Sequence, residues 1–139
     1  MRVHFKNPGQ AKSWLKVFKQ VLASAVSGPE GTRLPSQRTR NAMCRGFGYS
    51  SFNELEVIFK QRGNAKITVP SADDILHAFS VGFLLALNEA RSLGFRHEVE
   101  EKELAVQLAK QAVELVNERE HELANERERI SANQNNAIL

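Results

Sequence analysis

Seven basic side chains near the start of the sequence have the type and spacing needed to bind a polyanion. Lys12, Lys16 and Lys19 follow one another at helical steps, and four arginines come after them within residues 33–45. Helical spacing brings Arg38 and Arg45 to one face and offsets Arg40, so these cations cover the polar face of a helix. Unpaired lysines and arginines of this kind bind phosphate groups. The sequence therefore predicts a nucleic-acid-binding surface formed by Lys12, Lys16, Lys19, Arg33, Arg38, Arg40 and Arg45.

The charge is divided unequally along the chain. Residues 1–70 contain twelve Lys or Arg and three acids, a net charge of +9. Residues 71–139 contain seven Lys or Arg and thirteen acids, a net charge of −6. A strongly basic half favours contact with a polyanion. Two alternatives stay open: the basic face is merely solvated, or it pairs with the acidic half or with another protein.

No pattern of catalytic or metal-binding residues accompanies this charge. Cys44 stands alone beside Arg45, and no G-x-S-x-G context surrounds Ser50 or Ser51. The four histidines are scattered, without the i, i+4 pairing of a helical zinc site. We therefore expect a protein that is not an enzyme and that needs neither a cofactor nor a metal.

The basic cluster is expected to lie on two helices. Apolar residues within 14–25 recur at i, i+3, i+4 and i+7, which indicates an amphipathic helix that begins near Gln10. A second helix is predicted from Ser36, which can act as its N-cap, to about Arg45. The lysines and arginines between these points would face solvent or a partner.

A glycine turn separates the second helix from a third. Glycines on both sides of Phe47 break the helical pattern, and Ser50 or Ser51 can cap a new helix, with Glu54 at capping-box spacing from Ser51. Two short helices joined by a tight turn have a helix-turn-helix shape in the broad geometric sense. Residues 65–69 are β-prone and can pair with residues 1–5, so the sequence also allows a minor two-strand ribbon.

Two longer helices are predicted for the acidic half. Pro70-Ser71 introduces the first, which is apolar nearly all round and is expected to be the central helix of the fold. The second begins near Glu98 and runs to about Ile130, with acids in its first turns, where the helix dipole favours them. Residues 131–139 are expected to form a flexible tail.

The last helix carries half of a coiled-coil pattern. Val116, Leu123 and Ile130 keep a spacing of seven, but the second series contains Arg119 and Glu126. A helix that continues about twenty residues past its packing face is marginal when it stands alone. We therefore expect a homodimer, with Leu108, Leu115, Val116 and Leu123 as its oligomerisation residues.

Residues 5–56 contain an ordered set of motif residues. An aromatic residue is followed by Ala-Lys and by leucines at helical spacing, and later a helix leads into Gly-Tyr-Ser-Ser-Phe-Asn-Glu-Leu. This order resembles a small helical module of plasmid and phage proteins, which also begins some proteins of the glyoxalase superfamily. The resemblance implies an accessory protein and brings no catalytic residues with it. The matching residues are Phe5, Ala11, Lys12, Leu15, Leu22, Phe47, Gly48, Tyr49, Ser51, Phe52 and Leu55, with Phe52 in place of the usual Trp.

A second and looser resemblance covers residues 46–70. The order Gly-Phe-Gly-Tyr-Ser-Ser, then Ile-Phe-Lys, then Gly63 and Pro70 is similar to the later helix-turn-helix of AraC-type transcription regulators. This resemblance implies DNA binding. The chain departs from that family at Asn53, Glu54 and Glu56, where a reading helix is usually richer in hydrogen-bond donors.

Composition and segment lengths bound the remaining expectations. The single Cys44 cannot form an internal disulfide, and the opening MRVHFKN lacks the apolar run of a signal peptide. The apolar stretch of residues 75–87 is too short to cross a bilayer. We expect a cytoplasmic, mainly α protein with a basic helical module at 1–70 and an acidic helical hairpin at 71–130. Its expected function is that of a nucleic-acid-associated accessory or regulatory protein; the alternative is a protein–protein adaptor or inhibitor.

Overall fold

Helices make up most of the structure. A computed structural model of the chain describes residues 2–26, 28, 34–63, 67–95 and 100–138, with side chains as far as residue 132. Within these ranges the chain forms helices and no strand, which confirms the predicted mainly α fold with two long helices at the end. The helices are α1 (Pro8–Ala25), α2 (Ser36–Gly46), α3 (Phe52–Arg62), α4 (Ala72–Ser92) and α5 (Glu101–Ile138).

Side-chain caps determine where three of the helices begin. Asn7 Oδ1 accepts a hydrogen bond from the Gln10 N–H at 2.8 Å at the start of α1. Ser51 Oγ accepts from the Glu54 N–H at 3.2 Å at the start of α3, as predicted. Ser71 caps α4 in the same way. Such caps satisfy backbone N–H groups that have no partner inside the helix.

The start of α2 differs from the prediction. Pro35 occupies the N-cap position and Ser36 is the first helical residue, so the assignment of Ser36 as the cap is wrong. Ser36 Oγ instead accepts a hydrogen bond from Lys19 Nζ of α1 at 2.5 Å. The hydroxyl therefore joins α1 to α2 and does not cap the backbone of its own helix.

The central helix is α4, as predicted. It packs against both α2 and α5, and α1 contacts all three of these helices, whereas α3 packs on α2. Arg91 near the end of α4 pairs with Glu101 at the start of α5 at 3.2 Å. Ile75 near the start of α4 and Val116 of α5 line one cavity. The two long helices therefore form an antiparallel hairpin.

α2 and α4 approach each other closely where two glycines meet. A Cβ atom added to Gly46 would lie 2.5 Å from the carbonyl oxygen of Ala78 and 2.5 Å from the backbone nitrogen of Gly82. A Cβ atom added to Gly82 would lie 3.4 Å from Cα of Met43. Because Gly46 has no side chain, the backbones of the two helices can touch.

Aromatic rings fill the space between α1, α2 and α4. Phe47 meets Phe79 edge to face with ring centroids 5.0 Å apart, and Phe18 stacks on Phe83 at 4.3 Å. Each such pair contributes about 0.5–1.5 kcal/mol beyond the burial of its surface. The apolar cluster contains residues of both the basic and the acidic half. The change of charge near residue 70 therefore falls within a single shared core.

The first residues pass beside the turn between α2 and α3 without forming a helix or a strand. The Val3 N–H donates to the Phe47 carbonyl at 2.9 Å, and the Tyr49 hydroxyl donates to the Val3 carbonyl at 3.2 Å. Residues 67–69 form no strand, and the other residues of that β-prone segment lie outside the described ranges. The ribbon that the sequence allows is not formed in the described part, because the turn takes the hydrogen bonds of the first segment.

α5 is much longer than the helix it packs on. It has 38 residues, whereas α4 has 21. Residues 121–132 are all exposed, and Leu123, Ala124 and Arg127 still line a groove with the start of α1. From Arg127 to its end at Ile138 the helix continues for about 16 Å at 1.5 Å per residue. The helix also continues to Ile138, through most of the segment predicted as a flexible tail. No Gly or Pro follows Asn117 to stop it.

The close approach of α2 and α4 can be tested by adding one methyl group. We expect Gly46→Ala to lower the free energy of unfolding by about 2–3 kcal/mol, because the methyl group would meet rigid backbone atoms of α4. Gly9→Ala is the matched control, since its Cβ would meet only the side-chain oxygen of Asn7 at 3.2 Å. We expect the control to change stability by no more than about 0.5 kcal/mol. Urea denaturation followed by circular dichroism measures both, and a fully stable Gly46→Ala protein would contradict the close contact.

Candidate functional site

Two of the predicted arginines lie together in a groove between α2 and α4. Arg38 and Arg45 are seven residues apart on α2, and both line a cavity of about 340 Å³. The groove therefore combines two guanidinium groups with neutral and acidic side chains. The other polar residues that line it are Asn41, Asn88, Glu89 and Ser92.

Most groups in this groove keep hydrogen-bonding capacity for a ligand. Arg38 Nη1 lies 3.4 Å from Glu89 Oε2, a long contact between two side chains that are about half exposed. Arg45 Nε donates to the Ser50 carbonyl at 3.3 Å, which leaves the outer nitrogens of its guanidinium group. Asn41 Oδ1 accepts from the backbone of α3 at 2.9 Å, so its Nδ2 remains as a donor. The groove thus presents mainly N–H donors, which suit an anion.

The contribution of α4 to this groove was missed by the sequence analysis. Asn88 and Ser92 are four residues apart, with Glu89 beside them, on a helix that is otherwise largely apolar. Polar residues at this spacing share one helix face, and that spacing was the available signal. The sequence does not say which other helix lies opposite, because that depends on how α2 crosses α4.

Arg40 does not belong to the groove, although the sequence groups it with the other arginines. Its guanidinium carbon lies 4.2 Å from the centre of the Phe52 ring of α3, in cation–π contact. Its Nε is buried and has no hydrogen-bond partner within the described part of the chain. Arg40 therefore helps to pack α3 on α2 and is separated from Arg38 and Arg45.

The lysines of α1 form another group of cations. Lys12 and Lys16 are exposed, and neither makes a hydrogen bond or ion pair with any described residue. Lys19 donates to Ser36 at the start of α2. None of the three lines the groove between α2 and α4. Arg33, the remaining predicted cation, lies outside the described residues.

Two arginines that the sequence analysis did not single out hold the N-terminal segment in place. Arg2 Nη2 pairs with Glu54 Oε1 at 2.7 Å. Arg62 donates to the carbonyl oxygens of Phe5 at 3.0 Å and Lys6 at 3.2 Å. Part of the positive charge of residues 1–70 is therefore used inside the module and is not offered to a partner.

Glu54 is held as a carboxylate by its neighbours. Its oxygens accept from Ser50 Oγ at 2.7 Å and from the Ser50 N–H at 3.2 Å. These two hydrogen bonds, together with Arg2, lower the pKa of Glu54 below its ordinary value. The resulting stabilisation is present at neutral pH and is lost as the pH falls through the lowered pKa. Glu54 therefore serves to fix the turn, not to bind a ligand.

Few charges of the basic half meet charges of the acidic half. Among the described residues, one ion pair joins the two halves, Arg38 with Glu89 at 3.4 Å. A pair this exposed contributes about 0–1 kcal/mol. The halves are held together by their shared apolar core, and the exposed cations are left without a matching set of acids.

The structure corrects the predicted oligomerisation residues. Leu108 and Val116 are each 2% exposed in the core that α5 forms with α1 and α4, so these two cannot contact a second copy. Leu115 is partly buried against the same core. Leu123 is 52% exposed and Ile130 is 50% exposed, so of the heptad series Val116, Leu123 and Ile130 the last two stay at the surface.

Metal-ligand clusters and membrane spans are not found in the described part of the chain. No three His, Cys, Asp or Glu side chains of the described residues come together as metal ligands. As far as the helices are described, none combines the length and the apolar run that a bilayer crossing requires. Comparisons of the chain with protein-family models, curated proteins and solved structures find no match. The geometry of the surface is therefore what bears on function.

The burial of the Cys44 thiol can be tested by alkylation. The side chain is fully buried, and burial raises the pKa of its thiol to about 11, although Arg40 partly opposes this. We expect iodoacetamide at pH 8 to leave Cys44 of the native protein unmodified, because the thiolate is both scarce and inaccessible. The same reagent in concentrated urea should modify it completely, as intact-mass spectrometry would show. If Cys44 of the native protein were alkylated as fast as in concentrated urea, the burial of this thiol would be contradicted.

Proposed function

We propose that this protein is a non-enzymatic, nucleic-acid-associated accessory protein that binds phosphate groups through the exposed cations of α1 and α2. One observation carries the proposal. Lys12, Lys16, Arg38 and Arg45 remain at the surface, and the described acids place a single carboxylate, at 3.4 Å, beside one of them. A polyanion would provide the counter-charge that the chain itself does not.

The groove between α2 and α4 suits a phosphate group in particular. Arg38 and Arg45 carry planar guanidinium groups that match the geometry of phosphate oxygens, and Asn41 adds a neutral donor. A bound phosphate would compete with Glu89 for Arg38. Lys12 and Lys16 would act as separate point charges on α1. Contacts of this kind position a protein on nucleic acid but do not read its sequence, so we expect weak sequence preference.

Salt dependence provides the first test of this function. We expect the full chain to bind short labelled DNA or RNA at low salt, in fluorescence anisotropy titrations with duplex and single-stranded forms. The affinity should fall with salt, with a logarithmic slope of about −0.9 for each duplex phosphate neutralised. Binding that is absent at low salt, or that is unaffected by salt, would exclude phosphate contact and would favour the adaptor function.

Double variants that each remove two positive charges can locate the nucleic-acid-binding surface. Arg38→Gln with Arg45→Gln, and separately Lys12→Gln with Lys16→Gln, should each weaken binding about tenfold and flatten the salt slope by about two. Lys102→Gln with Lys110→Gln is the control, since it removes two charges from exposed lysines of α5. We expect the control to change affinity by less than about twofold. If all three double variants lost affinity for nucleic acid equally, net charge alone would account for the binding.

A protein–protein adaptor is the second candidate, and the projecting part of α5 favours it. Leu123 and Ile130 are seven residues apart on this part, and each is at least 50% exposed. Exposed apolar residues at heptad spacing are typical of helices that pair with another helix. A second copy of the chain or another protein would cover them.

Truncation tests the projecting helix. A chain that ends at Ala124 should unfold with a free energy within about 1 kcal/mol of the full chain, because residues 125–132 are exposed. If the helix mediates dimerisation, sedimentation equilibrium should show a dimer for the full chain and a monomer for the shortened one. Leu123→Gln with Ile130→Gln should give the same result while keeping the helix. If the full chain sediments as a monomer, the predicted homodimer is wrong.

A further inference from the structure

We infer that a second site, separate from the basic groove, binds a small apolar molecule that carries one carboxylate. The site is a cavity of about 470 Å³ between the start of α1, the start of α4 and the middle of α5. It shares no lining residue with the groove between α2 and α4. The inference therefore does not depend on the proposed binding of nucleic acid.

The walls of this cavity are mainly apolar. Trp14 of α1, Ile75 of α4 and Val113 of α5 line it, together with Val69 from the segment before α4. Its volume lies within the range of about 300–1,000 Å³ that is usual for small-molecule sites. Val69 is 85% exposed, so a ligand in the cavity would bury apolar surface that the chain leaves in water.

One cation lines the cavity itself, and two more line the groove that adjoins it. Lys6, Gln10 and Glu120 line both the cavity and an adjoining groove of about 530 Å³, to which α5 adds Arg119 and Arg127. Glu120, the acid among these lining residues, already accepts a hydrogen bond from Gln10 Nε2 at 3.1 Å. Three cations against one engaged carboxylate favour an anionic group on the ligand at this end.

Two further features of the site favour a carboxylate. His4 lines the cavity, and its Nδ1 is buried without a hydrogen-bond partner among the described residues. Buried polar atoms are rarely left unpaired, and a ligand oxygen would reach this nitrogen once the imidazole ring turned toward the cavity. Asn7 and Gly9 at the start of α1 line the adjoining groove. The first turn of α1 contains no acid, so its positive dipole end is not compensated there.

The only tryptophan of the chain reports directly on this site. Trp14 lines the cavity, so its fluorescence should change when a ligand binds. Octanoate and octylamine make suitable probes, since they share an apolar tail and carry opposite charges. With the full chain and both probes below the concentration of micelle formation, we expect saturable binding of octanoate. Its affinity should be at least about tenfold higher than that of octylamine.

Two valines on α5 provide a matched pair of variants. Val113 is half-buried in the cavity wall, whereas Val106, seven residues earlier, is 42% exposed and does not line the cavity. Val113→Phe fills the cavity and should weaken octanoate binding at least about tenfold, and Val106→Phe should leave it unchanged. Ala72→Phe at the exposed rim of the same cavity is a second filling variant, in case Val113→Phe is unstable by circular dichroism.

Variants without the two arginines separate the contribution of the probe's carboxylate from that of its apolar chain. Arg119→Gln with Arg127→Gln should weaken octanoate about fivefold and should not weaken octylamine. Equal affinity for the two probes, or octanoate binding that survives both filling variants, would overturn the proposal. Absence of any saturable response to octanoate would also overturn it. None of these outcomes affects the nucleic-acid titrations, which test different residues.

Discussion

Gly46 has no side chain, and for that reason the end of α2 lies directly on the backbone of α4 at Gly82. Any larger residue would hold the two helices apart, so this contact sets the depth of their crossing. With α2 in this position, Phe47 enters the aromatic core immediately after it. The groove of Arg38 and Arg45 lies along the same pair of helices. The width of this groove is therefore determined by the same close contact of α2 with α4 that brings Phe47 into the core.

The basic residues of the N-terminal half divide according to what they contact after folding. Arg2 and Arg62 bind oxygens of the module itself, and Arg40 stacks on a ring of α3. Arg38 and Arg45 are only weakly engaged and remain at the surface. The net charge of this half thus overstates the charge that a partner would meet. Of what remains, Lys12 and Lys16 lie on α1 and Arg38 and Arg45 lie in the groove between α2 and α4, which is where phosphate binding is proposed.

α5 passes through three environments because it is longer than its partner α4. Its first half completes the core, where Leu108 is buried. Near the start of α4 it is covered only in part by α1, and this incomplete cover leaves the cavity beside Trp14 and Val113. Farther on, it meets only the start of α1 along a groove, and Leu123 is 52% exposed there. One difference in helix length therefore accounts for the cavity and for the projecting segment.

The sequence by itself determined the helices, the cap at Ser51, the central position of α4 and the unequal charge. These features depend on residues within a few positions of one another, so local spacing is sufficient to predict them. The sequence could not assign the faces of those helices to partners. It placed Arg40 on the polar surface and Leu108 and Val116 in a seam between copies. Only the tertiary structure decided these, because the partner of each face lies more than ten residues away in the sequence: Phe52 for Arg40, and α1 and α4 for Leu108 and Val116.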